Sequence, residues 1–159
     1  MAVYRMEYTK SGKPSSGNLP FSYPEAAAQS FKRGDPVKLN TSGQVLIAVD
    51  TEGSLGIAKE DASGTTNNVV QVILHDFKDL YSASGSAAGA TRTVTQSDVG
   101  LRCSYIKSTV TGETDKTVID VSDTQSDVLV IVGVKDAVGT VDGRYYFQWL
   151  STQYIPRGT

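Results

Sequence analysis

The apolar residues of this chain come in short runs rich in β-branched side chains, and polar turn residues end each run before it can build a helix. QVLIAV at 44–49, VVQVIL at 69–74 and DVLVIVGVK at 127–135 are the plainest cases. Apolar positions never repeat at helical spacing beyond the one turn that residues 25–30, EAAAQS, could form, and such a turn is too costly to nucleate alone. Val, Ile and Thr number 18, 7 and 16, against 9 Leu and 2 Met. Side chains branched at Cβ lose rotamer freedom on a helix and pack well on a pleated surface, so the balance favours sheet.

Residues 35–39 and 44–49 read as a hairpin about the turn Asn40-Thr41-Ser42-Gly43. Strands follow at 55–58 and 69–74, the second apolar enough to be buried on both faces. Further strands are expected at 101–106, 116–121 and 127–135. Asp142-Gly143, with Gly143 supplying a positive φ, then turns the chain into the aromatic strand RYYFQW at 144–149. Residues 81–95, YSASGSAAGATRTVT, hold no large apolar group between Tyr81 and Val94 and read as an exposed, mobile loop. The pattern predicts an all-β fold, a small β-barrel or β-sandwich of about nine short strands.

The first 27 residues differ in kind. The stretch TKSGKPSSGNLPFSYP at 9–24 holds three of the five prolines and little to bury. It reads as an extended Pro/Gly/Ser-rich arm over 1–27, attached to a β domain over 28–159. Leu19, Phe21 and Tyr23 are spaced two apart in it, a stripe that a plain linker does not need. They are candidate anchors for a partner's apolar groove. On the C-terminal strand, Tyr145, Phe147 and Trp149 share one side of the pleat and are the second set of candidate partner-binding residues.

Charge and cysteine usage exclude several classes. The net charge is −2, so a broad basic face for nucleic acid is not expected. Residues 1–40 carry six basic and three acidic side chains, residues 41–143 seven and fourteen, and residues 144–159 two and none. The mildly basic ends could meet an acidic neighbour. No run approaches the roughly 18 apolar residues of a transmembrane helix, and Met1 to Glu7 lack the apolar core of a secretory signal, so no membrane association is expected. A single cysteine, Cys103, and a single histidine, His75, leave no intrachain disulfide, no multi-Cys zinc site and no His pair. No phosphate-binding loop, nucleophile elbow, zincin or EF-hand motif is present, so neither a catalytic residue nor a cofactor is expected. The acidic run Asp120, Asp123 and Asp127 lacks the spacing of a calcium loop. Arg33-Gly34-Asp35 spells an integrin tripeptide, but a turn at Gly34 before the extended Asp35-Pro36 accounts for it.

The stretch FKRGDPVKLNTSGQVLIAVDTEGSLGIAKED carries a recurring order: an aromatic, a basic residue, Gly-Asp-x-Val, a turn glycine, an apolar strand, then Gly-Ile-Ala. Here these are Phe31, Lys32, Gly34, Asp35, Val37, Gly43, residues 45–49 and Gly56 to Ala58. With the later TQSDVGLRCSYI, VIDVSD and VLVIVGVKDAVGTVDGRYYFQW, the order over residues 28–150 resembles that of capsid decoration (cement) proteins of tailed bacteriophages. The resemblance implies a structural virion protein, made in the host cytoplasm and bound to the outer surface of an icosahedral capsid. Its implied partners are the major capsid protein and neighbouring copies of itself, as a trimer rather than a dimer. It implies no enzyme activity. Two other readings fit an all-β chain of this kind: another β-rich virion component, such as a tail or head-completion protein, or a carbohydrate-binding β module using the aromatic strand.

Overall fold

The computed structural model describes residues 2–10, 20–49, 54–76 and 78–150. It is all-β, with eleven strands among the described residues arranged in two sheets. In chain order these are β1 (Glu7–Lys10), β2 (Pro20–Pro24), β3 (Pro36–Leu39), β4 (Val45–Ile47), β5 (Gly56–Ala58), β6 (Val69–Leu74) and β7 (Leu80–Ser86). After a single 3-10 turn at Gln96–Asp98 come β8 (Arg102–Lys107), β9 (Thr117–Asp120), β10 (Leu129–Val134) and β11 (Arg144–Trp149). The first sheet runs β1-β7-β11-β10-β8-β9, and a parallel β7–β9 pairing closes its last five strands into a barrel. The second runs β2-β6-β5-β3-β4, and a bridge between Glu25 and Val45 brings its two outer strands together.

Most of the predicted strands are present, including the 36–47 hairpin and the aromatic strand. The largest departure is at residues 81–95. The expected loop begins with β7, which pairs with β1, β11 and β9. Its small residues are a fit to large neighbours. Tyr145 lies opposite Ala83 and Phe147 opposite Tyr81, and a Cβ added at Gly85 would sit 2.4 Å from the Tyr145 ring. On the other face the serines satisfy main-chain groups. Ser84 Oγ donates to Asp142 O at 2.6 Å and accepts from Tyr4 N at 2.7 Å, and Ser86 Oγ donates to Ile119 O at 2.8 Å.

The described part of the segment expected as an arm is also built into the sheets. Val3 and Met6 are buried, Met6 in the barrel-side core, β1 extends the first sheet and β2 the second. Residues 25–30 form no helix; Ala28 takes a positive φ of 54° instead. The strand at 69–74 is fully buried on one face, at Val70 and Val72; on the other, Val69 is exposed and Ile73 packs half-buried against the barrel core. At the last turn Asp142, not Gly143, has the positive φ, 54°. Gly143 is needed for space, since a Cβ there would lie 2.6 Å from Val94.

Two cores result. One fills the barrel around Tyr81, Tyr105, Ile119, Leu129, Ile131, Tyr145, Phe147 and Trp149, and Ala48 and Ile57 of the second sheet join it. The other lies within the second sheet around Phe31, Val37, Val45, Leu55, Val70 and Val72. Polar contacts clamp the sheets together. Asp35, before β3, is fully buried and accepts from Lys107 Nζ at 2.5 Å, Thr117 Oγ1 at 2.8 Å and Lys32 N at 2.8 Å. Tyr105 OH donates to Val49 O at 2.8 Å.

Candidate functional site

Alternation along β11 sends Tyr145, Phe147 and Trp149 into the barrel, where each is 2% exposed or less. The expectation that this side meets a partner is therefore corrected: the closed barrel takes up the whole aromatic face. Trp149 stacks on His75 with ring centroids 3.9 Å apart, and Tyr81 meets His75 edge-on at 5.8 Å. Tyr145 OH donates to Asp98 Oδ2 at 2.5 Å and accepts from Thr95 N at 3.0 Å, while Arg92 binds the same carboxylate through Nε and Nη2. Burial pushes the Asp98 carboxyl up, but the hydrogen bonds from Arg92 and Tyr145 outweigh it and hold it below the ordinary range.

Of the other anchors, Leu19 lies outside the described residues. Phe21 and Tyr23 are on β2, an outer strand of the second sheet. Tyr23 packs partly buried against the second core. Phe21 lies opposite Val72 yet stays 53% exposed, at the start of an outer strand and away from the Glu25–Val45 bridge, with no further strand paired beside it among the described residues. Pro20 and Pro24 frame the strand and remove two donors from it, a device that limits unspecific edge pairing.

The single cysteine and the single histidine are both buried. Cys103 is fully buried, and burial with Asp120, Asp123 and Asp98 nearby pushes its thiol up to about 12, which leaves no thiolate at neutral pH. His75 is 4% exposed, its Nε2 bonded to Ser54 Oγ, and burial pushes its pKa well below the usual value. Asp120 Oδ1 accepts from the main chain of Ala88 and Ser122, and Ser104 Oγ donates to Asp123. No group of three or more His, Cys, Asp or Glu side chains is placed to hold a metal among the described residues. With Asp35 buried in its clamp, the Arg33-Gly34-Asp35 tripeptide cannot be presented to a receptor.

One surface feature has no counterpart in the sequence reading. A groove of about 410 Å³ separates β1 from the second sheet, lined by Met6, Glu7 and Tyr8 on one side and by Arg33, Lys59 and Ile73 among the residues opposite. It is visible only once the N-terminal strand is placed beside β7. No protein-family model matches the chain, and no curated protein matches it.

Proposed function

We propose that the chain is a structural virion protein that binds the outside of an icosahedral bacteriophage capsid and cements neighbouring major capsid subunits. The order of motifs over residues 28–150 supports the reading. The surface observation that carries it is Phe21, a large apolar ring half in solvent on an outer strand of a well-packed sheet. A rigid strand presenting one aromatic anchor fits a partner's apolar pocket at low entropic cost. Tyr145, Phe147 and Trp149 point into the barrel and leave Tyr146 as the only aromatic side chain on the outer face of that strand, which weakens the carbohydrate-binding alternative.

A ligand that binds only the assembled shell stabilises it by about 2.7 kcal/mol per site at a hundred times its dissociation constant, and symmetry repeats the gain over many sites. The test is to heat expanded capsids with and without saturating protein and follow genome release. A higher release temperature with protein bound supports cementing. Binding without a shift reduces the role to decoration, and no binding to capsids overturns the reading.

A further inference from the structure

The groove beside β1 combines three properties. Its first wall is an outer strand: β1 pairs with β7 on one side and with no strand on the other among the described residues. Its lining is mixed: Met6, Ile57 and Ala58 are each 2% exposed or less, so half-buried Ile73 is its main accessible apolar side chain beside Tyr8. Its far wall carries two exposed cations, Arg33 and Lys59, whose side chains make no ion pair among the described residues. Glu7, on β1 itself, is the one carboxylate in the lining.

We propose that this groove accepts an extended acidic segment of a partner protein. The segment adds a strand to β1, sets an apolar side chain against Ile73 and Tyr8 and brings acidic ones to Arg33 and Lys59. Main-chain pairing supplies the affinity in such strand addition, and the side-chain pockets supply the choice of partner. Glu7 repels an acid placed directly across from it, so the acidic positions fall at the Arg33 and Lys59 side. Against β7 the strand keeps a regular register only at Glu7 and Tyr8, so the edge it offers is short and one contact is weak. Repetition over a symmetric shell would make it sufficient. Resting on the reading above, the segment belongs to the major capsid subunit.

The experiment records amide NMR shifts of the full chain on titration with two synthetic peptides, acetyl-Val-Asp-Val-Asp-Val-amide and its Lys-for-Asp counterpart. The expected result is saturable shifts at Glu7, Tyr8, Arg33 and Lys59 with the acidic peptide alone. The double variant Arg33→Glu, Lys59→Glu should bind it about tenfold more weakly, two exposed charge pairs being reversed. Equal shifts with both peptides, shifts confined to other residues, or undiminished binding by the variant would overturn the proposal. The same variant is then added to capsids. Undiminished occupancy overturns the groove as a capsid contact and leaves cementing standing. If the unaltered chain does not bind capsids, the cement reading fails, while the peptide titration still judges the groove.

Discussion

Lowering the pH from 7 to 5 should destabilise this protein through one side chain. His75 is the only histidine, and no other side-chain type normally titrates in that window. In the fold it is wedged between the sheets. Nε2 meets Ser54 just before β5, one face stacks on Trp149, and Nδ1 has no hydrogen-bond partner among the described residues. The groups around it are the neutral rings of Trp149 and Tyr81 and the Ser54 hydroxyl, with Asp76 next to it in the chain. Burial favours the neutral ring and depresses the folded pKa. The unfolded chain therefore takes up a proton first as pH falls through about 6.5, and stability drops by at most 1.36 kcal/mol per further pH unit, about 2 kcal/mol by pH 5. The decline ends only when pH reaches the folded pKa. Urea unfolding at pH 7, 6 and 5 and constant ionic strength measures it, with His75→Gln as the control that removes the slope. A flat profile for the parent, or an unchanged slope in His75→Gln, would refute the argument.

Three further outcomes are expected. Gly85→Ala should cost about 1–3 kcal/mol in urea unfolding, because the new Cβ overlaps the Tyr145 ring and the closed barrel has little room to yield. Tyr145→Phe should also cost about 1–3 kcal/mol and raise the acid-unfolding midpoint, since Asp98 loses a donor that holds its carboxyl ionised. Phe21→Ser should leave stability within about 0.5 kcal/mol, as expected for an exposed position, while lowering occupancy on capsids at fixed concentration; unchanged occupancy would remove Phe21 from the contact.

The parts of the fold that local chemistry determines were legible. Asn40 shows why: its Oδ1 accepts from Ser42 N and Gln44 N, closing the hairpin within five residues. What stayed hidden depends on distant partners. The run YSASGS has no bulk of its own and looks unstructured, yet it is a central strand because β11 supplies the bulk from some sixty residues away. Val3 and Met6 sit in or beside a stretch, residues 4–8, whose alternation is too weak and short to mark them as core. Alternation along RYYFQW correctly divides the side chains into two sets, but only barrel closure decides which set faces inward.

The same reasoning explains why the candidate anchors divided as they did. A closed barrel has no spare inner face, so every large side chain pointing inward is consumed by packing, and Tyr145, Phe147 and Trp149 are consumed completely. Interaction capacity is left at outer strands, which among the described residues are β1 in the first sheet and β2 and β4 in the second. Of these, β1 and β2 are the two that come from the N-terminal segment whose composition suggested an arm. Composition registered that this segment brings few apolar side chains of its own; it could not register that β1 and β2 still complete the two sheets. Edge strands held by one partner can take a second without repacking the core, so a contact made there leaves the fold unchanged on binding. A shell contact through β1 and β2 thus requires no ordering of the described N-terminal residues, and exchange protection of β7 and β11 should be the same on and off capsids. Increased protection confined to the β1 and β2 amides fits this account, and a change spread through the barrel would contradict it.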